Sequence, residues 1–403
     1  MSSTKSIVRQ ILFSVVILFI VHGIARNVDV IYGHFLSHLC FLFLSVWTSW
    51  LLASVFIQSK RVDPSDKAVF ITGEAKFGLK LNSNRCLIMK LFGKGCDTGF
   101  GNSLAIQLEE IGFLVFAGCL FPEGNGAQKL ITSKNIRVIS LDVTKEESVA
   151  EAVIQVEEQL RTERKVRMCM LYVTTFNNLA LWGIVNNAGI GHYSGIDWSA
   201  QGVDVYSSQL DVNTLGTVRT TKLFLPLLRA TKDSRVIVVA SMASRLVFPG
   251  LTGYSMSKYA VRAFGDGLRR EQRPYGINVS IIEPAMYNTS MTDTEVCLNN
   301  LKSHWNKTPE LVKQSIGVSK FERLYETVHS FLLMKRNEVQ EVLDAMIDSL
   351  TSEEPKCFYR VGGFKEKIAF YLLLLLPDEL QDFFVDNSAF DYILKLIQNK
   401  RDR

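Results

Sequence analysis

Between residues 68 and 189 the chain alternates short apolar runs with stretches of helical period, and this alternation constrains the fold more than any other feature. The runs are Ala68-Val69-Phe70-Ile71-Thr72-Gly73, Leu114 to Cys119, Arg137 to Thr144 and Trp182 to Gly189. Each is too short for a typical helix and most lack a polar face, so they read as strands buried on both sides. Between them lie residues 102–111 and 145–161, the latter with Val149, Val153, Val156 and Leu160 at helical spacing. A β-α-β-α-β order needs crossovers, and the strands must then lie parallel in a doubly wound α/β sheet. The loop Gly95-Cys96-Asp97-Thr98-Gly99-Phe100-Gly101 opens the first of these helices. Its glycines let the backbone approach a ligand closely, and the free amides of a helix N-terminus suit a pyrophosphate. Such a loop alone is weak evidence, and its place inside the alternation gives it weight.

Tyr254 and Lys258 are four residues apart in a helical stretch and therefore share a face. A phenol has an ordinary pKa of about 10 and is a poor base at neutral pH, and an adjacent ammonium favours the phenolate. The pair suits removal of a hydroxyl proton, or its return in the reverse reaction. Ser241 lies thirteen residues before Tyr254, after the strand Arg235 to Ala240, where its hydroxyl can orient a substrate oxygen.

Leu141-Asp142-Val143, Asn186-Asn187-Ala188-Gly189, Asn213, Ser241, Tyr254-Ser255-Met256-Ser257-Lys258 and Glu283-Pro284 together resemble the short-chain dehydrogenase/reductase family. Segments 112–120 and 241–258 most resemble the branch that contains retinol dehydrogenases, microsomal hydroxysteroid dehydrogenases and mitochondrial D-β-hydroxybutyrate dehydrogenase. The resemblance implies a Rossmann-type doubly wound parallel sheet, a single catalytic domain and a nicotinamide cofactor. It gives Asn213, Ser241, Tyr254 and Lys258 the catalytic positions, with Asn213 holding a water that links Lys258 to solvent. It places Gly95, Asp97, Thr98, Gly99, Phe100 and Gly101 in the phosphate loop, Asp142 and Val143 at the adenine and Asn187, Ala188 and Gly189 on the ribose side. Tyr254, Lys258, Pro284 and Thr289 lie at the nicotinamide, with Thr289 on its carboxamide. Ala285 departs from the usual glycine after Pro284, so a small shift of the nicotinamide wall is expected. Gly118-Cys119-Leu120-Phe121 offers neither the acid that binds a ribose 2′-hydroxyl nor an arginine for a 2′-phosphate. The absence of a basic residue favours NAD and leaves NADP open.

Two runs interrupt the resemblance, residues 74–94 and 166–180. Removing either restores an ordinary family segment, which fits a retained intron or gene-model error; Val166 requires a codon beginning GT, as a splice donor does. The alternative is a genuine insertion in which residues 86–92 replace 69–72 as the first strand.

The chain has 403 residues, 47% of them hydrophobic, and a mean hydropathy of +0.14. Much of that excess is N-terminal. Residues 35–57 carry no formal charge and are long enough to cross a bilayer, and residues 11–25 form a shorter apolar run after Lys5 and Arg9. Residues 1–62 therefore read as a membrane anchor of one or two transmembrane helices, 63–350 as the catalytic domain and 351–403 as a C-terminal extension. Residues 368–376, too short to span, suit packing in the core or association with a membrane surface. A helical hairpin would put the catalytic domain on the cytosolic side, and a single span leaves the orientation open. Membrane association at the endoplasmic reticulum is the leading expectation; a basic, hydroxyl-rich N-terminus keeps the mitochondrial inner membrane as the alternative. The net charge of +5 is scattered and argues against a nucleic-acid groove. Seven cysteines without a CxxC pair or a His partner at ligand spacing argue for reduced thiols and no metal site.

The expected activity is interconversion of a hydroxyl and a carbonyl on a lipophilic retinoid or hydroxysteroid, with membrane lipid as partner and a homo-oligomer left open. A 3-hydroxybutyrate-type dehydrogenase is the enzyme alternative; it needs a cation for the substrate carboxylate, and Arg245, four residues after Ser241, is the candidate. A catalytically impaired product is the remaining reading if 74–94 is translated and disrupts the strand-to-loop junction.

Overall fold

The computed structural model describes residues 42, 45–46, 60–73, 99–170, 180–198 and 202–386. The apolar stretches 11–25 and 35–57 lie outside them, apart from 42, 45 and 46. All of 74–98, which includes Gly95, Asp97 and Thr98, and residues 171–179, 199–201 and 387–403 are also outside. Among the described residues no helix is long and apolar enough to cross a membrane. The chain divides into two units, Met1–Val62 with Ser352–Pro355, and Asp63–Thr351 with Lys356–Arg403. In the first, Arg61 makes an antiparallel bridge to Ser352 and the Glu353 amide donates to the Lys60 carbonyl. The second contains the sheet.

In chain order the second unit runs β1 (Lys67–Thr72), α1 (Phe100–Ile111), β2 (Leu114–Cys119), α2 (Asn125–Ile131), β3 (Ile136–Ser140), α3 (Glu146–Met170) and β4 (Ala180–Asn186). There follow α4 (Asp204–Leu210), a π-helical segment (Asp211–Leu215), α5 (Gly216–Arg229), β5 (Arg235–Val239), α6 (Thr252–Gln272) and β6 (Asn278–Pro284). The last part comprises α7 (Thr294–Lys307), α8 (Glu310–Ile316), α9 (Val318–Leu333), α10 (Gln340–Thr351), β7 (Phe358–Val361), α11 (Phe364–Leu374) and α12 (Asp378–Asp386).

The seven strands are all parallel, in the order β3-β2-β1-β4-β5-β6-β7. Chain direction across the sheet reverses between β1 and β4, and the crevice beyond the carboxyl ends of those strands is where doubly wound sheets bind ligands. β1 is buried on both faces, with Ala68, Val69 and Phe70 inaccessible to solvent. The Phe70 ring stacks on Phe224 of α5 at 4.5 Å between centroids. This is the first strand expected from residues 68–72; the alternative at 86–92 lies outside the described residues.

Boundaries shift where local chemistry intervenes. β3 stops at Ser140 rather than continuing to Thr144, because the Asp142 carboxylate accepts from the Thr144 amide at 3.0 Å and hydroxyl at 2.6 Å and turns the chain. β4 ends at Asn186: the amides of Asn187 and Ala188 donate instead to the Thr72 hydroxyl, at 2.9 and 3.0 Å. α3 runs past the expected end at 161 to Met170, since residues 162–170 contain no glycine or proline to stop it.

The main core lies on the two faces of the sheet. A second apolar cluster joins Trp198, Leu298, Leu301, Trp305, Val328 and Leu332, with Trp305 stacked on Phe321 at 4.7 Å. The face of α10 carrying Val342, Leu343 and Met346 is buried, as its periodicity predicts.

Candidate active site

Four side chains converge beyond the carboxyl ends of β4 and β5. Ser241 follows β5 in extended conformation, and its hydroxyl accepts from the Ala243 amide at 3.1 Å. Tyr254 and Lys258 project from the first two turns of α6, with the Lys258 ammonium 5.7 Å from the Tyr254 ring centroid. Lys258 is 3% exposed and donates to the Val239 carbonyl at 2.9 Å, so its charge is held against the end of β5. Asn213 occupies the π-helical segment between α4 and α5, a deviation that re-aims side chains and recurs at functional sites. Its Oδ1 accepts from the Ile190 amide at 2.7 Å, and its Nδ2 donates to the Ile190 carbonyl at 2.9 Å and the Ser257 hydroxyl at 2.8 Å. Ser257 in turn donates to the Tyr254 carbonyl at 2.7 Å. Asn213 therefore pins the loop after β4 to the helix that carries Tyr254.

Ser241, Tyr254 and Lys258 open into a cavity of about 260 Å³, which Asn187, Gly189, Pro284 and Thr289 also line. Its remaining wall is largely apolar and includes Phe248, Phe331, Met334, Phe370 and Leu373. Of the aromatic and leucine side chains on α7 and α9, Phe331 lines the cavity, while Trp305, Phe321, Leu324 and Leu332 belong to the second apolar cluster. Arg245 does not line it. Its guanidinium lies on the buried carboxylate of Glu283 at 2.9 and 3.0 Å, which Arg262 and Arg360 also contact.

Sequence reasoning passed over Gly191 and Tyr193, both in the cavity wall. Burial raises the Tyr193 phenol well above its ordinary range, with Cys297 and Tyr254 adding to the effect, so it stays protonated. Burial, reinforced by His304, lowers the neighbouring His192 to about 4 and keeps its imidazole neutral at physiological pH. A Cβ on Gly191 would stand 3.3 Å from Tyr254 Cδ2 and 3.5 Å from Met291 Sδ. Gly191→Ala is thus expected to displace the Tyr254 ring by a few tenths of an ångström and lower kcat about tenfold or more, with little change in thermal stability. Steady-state kinetics beside a melting curve check this, and unchanged kcat would show that Tyr254 tolerates the displacement.

The described residues fit a dinucleotide. Gly99 caps α1, Phe100 lies in its first turn, and a Cβ on Gly101 would stand 2.9 Å from Asn187 Nδ2. Among the described residues that buried Nδ2 has no hydrogen-bond partner, a donor beside Gly101 that a ribose or phosphate oxygen would satisfy. Farther along the crevice, the hydrogen bonds from Thr144, helped by Lys145, outweigh burial and hold the Asp142 carboxyl below its ordinary range. Val143 packs where a Cβ on Gly216 would fall. Ala285 is accommodated without left-handed backbone: its amide donates to the Val361 carbonyl at 2.7 Å and its methyl faces Gly362.

Residues 94–297 match the family model for short chain dehydrogenase. The chain is 36% identical over 299 residues to bovine 17-beta-hydroxysteroid dehydrogenase type 6, covering 74% of this chain and 88% of the relative. It is 35% identical over 334 residues to rat retinol dehydrogenase 7, covering 83% and 92%. With rat mitochondrial D-beta-hydroxybutyrate dehydrogenase it shares 33% over 294 residues, covering 72% and 81%. Among solved structures it resembles a short-chain dehydrogenase from Streptomyces avermitilis, with a TM-score of 0.56 and 18% identity over 81% of this chain and 98% of that one. It also resembles a short-chain dehydrogenase/reductase from Burkholderia phymatum in complex with NAD, with a TM-score of 0.54 and 17% identity over 81% and 97%. Seven parallel strands, a crevice that fits a dinucleotide and these relatives agree: the chain belongs to the short-chain dehydrogenase/reductase family, as an oxidoreductase that acts on hydroxyl groups with a nicotinamide cofactor.

Proposed function

We propose that this protein is a membrane-anchored enzyme that interconverts a hydroxyl and a carbonyl on a neutral lipophilic substrate of the retinoid or hydroxysteroid class, using NAD. A bound nicotinamide would supply the hydride acceptor in oxidation and the hydride donor in reduction at the carbinol carbon. The chain's own residues supply the rest. Ser241 hydrogen-bonds the substrate oxygen and orients it. In oxidation the Tyr254 phenolate takes the hydroxyl proton, and in reduction the phenol returns it to the carbonyl oxygen. The Lys258 ammonium, fixed on the Val239 carbonyl, favours the phenolate form. Asn187, whose amide is unsatisfied among the described residues, and Thr289 would hold the cofactor.

The observation that carries the substrate reading is the cavity's lining. Beyond Ser241 and Tyr254 the wall is mostly hydrocarbon and aromatic, and the cations among its described residues are Lys258 and Arg336. Arg336 is held by Glu341 and Glu366, Arg245 by Glu283, and Lys258 lies on the Val239 carbonyl beside Tyr254, so the described residues dedicate no cation to a substrate carboxylate. Membrane seating is supported by α11. Its inner face, with Ala369, Phe370 and Leu373, walls the cavity, while Phe364 and Leu372 on its outer face and Leu375 just beyond are 76%, 60% and 81% exposed. An apolar helix left bare on one side suits a bilayer surface behind a cavity for lipophilic ligands.

Purified protein assayed with NAD and a panel of retinol, androstanediol and 3-hydroxybutyrate tests the reading. Turnover of retinol or androstanediol is expected. Turnover of 3-hydroxybutyrate alone would overturn the substrate class, and failure of NADH to bind would remove the dehydrogenase assignment for the translated chain.

A further inference from the structure

One guanidinium joins the apolar wall of the cavity to the loop that follows β6. Arg336 is 7% exposed, and its donors are engaged at both ends. Nε and Nη2 donate to the two carboxylate oxygens of Glu341 on α10 at 3.1 and 2.6 Å, and Nη1 lies 3.1 Å from both oxygens of Glu366 in the first turn of α11. The main chain of Arg336 grips the loop after β6: its amide donates to the Met286 carbonyl at 2.9 Å, and its carbonyl accepts from the Asn288 amide at 2.7 Å. From within that loop the Tyr287 hydroxyl donates to Glu341 at 2.6 Å, and the Tyr287 ring meets Phe100 of the glycine loop edge-on at 6.1 Å. Lys335 adds bonds to the Thr292 carbonyl and the Thr294 hydroxyl. Space for the junction depends on a missing side chain: a Cβ on Gly363 would collide with Glu366 Oε2 and Arg336 Nη1.

Both bodies joined in this way line the cavity. α11 contributes Ala369, Phe370 and Leu373, while the loop contributes Thr289 and brings Tyr287 against the first turn of α1. We propose that Arg336 is a positioning residue that couples the two, so that a lipophilic alcohol settling against α11 draws in the loop through Glu366 and tightens its hold on the nicotinamide cofactor. This rests on the substrate reading above and extends it from what is bound to the order in which binding is reinforced. A two-ended clasp transmits a shift because its bonds are charge-assisted and radiate from a buried guanidinium. Coupling between sites is reciprocal, so the cofactor tightens the alcohol by the same factor.

NADH and an alcohol form a ternary complex that cannot react, which allows the coupling to be read at equilibrium. The full chain in detergent is titrated with NADH by fluorescence, with and without saturating androstanediol, whose own binding is measured by equilibrium dialysis. For the wild type, NADH is expected to bind about fivefold or more tightly when the alcohol is present. In Glu366→Gln, which cuts the α11 end, that ratio should fall to about one while NADH affinity without alcohol changes less than about threefold; in Tyr287→Phe, which removes one hold on the loop and leaves the Arg336 main-chain bonds to Met286 and Asn288, the ratio should fall part-way. Glu338→Gln, at an exposed carboxylate 3.5 Å from Arg336, should keep the wild-type ratio. A ratio that survives in both link variants would show that alcohol and cofactor couple by direct contact and would overturn the proposal, as would a wild type that binds both ligands independently. A wild type that binds NADH but neither androstanediol nor retinol would remove the substrate reading and this inference with it. Loss of melting temperature in the variants with the ratio intact would assign the clasp to stability alone.

Discussion

Tyr254→Phe is expected to lower kcat by about 10²–10⁴-fold, the usual contribution of a positioned acid or base. The substitution removes one hydroxyl and keeps the ring, which continues to pack against Gly191 and to stand beside the Lys258 ammonium. Lys258 retains its bond to the Val239 carbonyl, so the end of β5 and the seat of Ser241 are undisturbed. What is lost is the group that takes or returns the proton on the substrate oxygen. Among the described residues neither nearby candidate can replace it: Tyr193 is held protonated by burial, and the His192 imidazole, lowered to about 4, is too weak a base at neutral pH. NADH affinity should therefore stay within about threefold of wild type while turnover collapses, the pattern of an interaction made in the transition state and not in the ground state. Steady-state kinetics on the alcohol found active in the panel, with an NADH titration beside them, check both halves. A variant retaining more than about a tenth of wild-type kcat would move the proton transfer to another group.

The parts of the fold legible from sequence are those that depend on local pattern. Residues 68–72 and 114–119 read as strands because both faces are buried and every position is therefore apolar or small. Tyr254 and Lys258 read as partners because four residues along a helix return to the same face. What sequence could not supply depends on contacts between distant segments. Arg245 was singled out for its closeness to Ser241 in the chain, yet its partner is Glu283, thirty-eight positions on, and that bond turns the guanidinium away from the cavity. Trp305 and Phe331 have similar chemistry and lie on amphipathic helices, so periodicity cannot tell which faces a core and which a cavity; packing decides. Gly191 carries no local signal because the space it preserves belongs to a tyrosine sixty-three residues later. The same holds for Arg336, whose charge at the surface of a sequence plot is closed in by Glu341 and Glu366 from two different helices.

Asn213→Leu is expected to damage stability as much as catalysis, and the balance separates two roles for this residue. The family resemblance gives Asn213 a water that relays protons from Lys258. If that were its whole contribution, a leucine of similar size would lower kcat and cost little stability. The geometry predicts more. Asn213 satisfies both the amide and the carbonyl of Ile190, a residue 5% exposed, and supplies a donor to the buried hydroxyl of Ser257. Leucine leaves the two Ile190 groups without these bonds, at about 1–3 kcal/mol for each buried polar group stranded. A total of about 2–6 kcal/mol is a large share of the roughly 5–15 kcal/mol by which a domain is stable. Since about 1 kcal/mol moves the melting point of a domain of 150–250 residues by about 2–4 °C, a fall of about 10 °C is expected. The loop freed by the substitution carries Gly189 and Gly191, which border Lys258 and Tyr254, so kcat measured well below the new melting point should fall as well. A melting curve that moves by less than about 2 °C with kcat strongly reduced would assign Asn213 to proton relay alone. A large shift with kcat intact would make it a structural clamp whose position beside Lys258 does not matter to turnover.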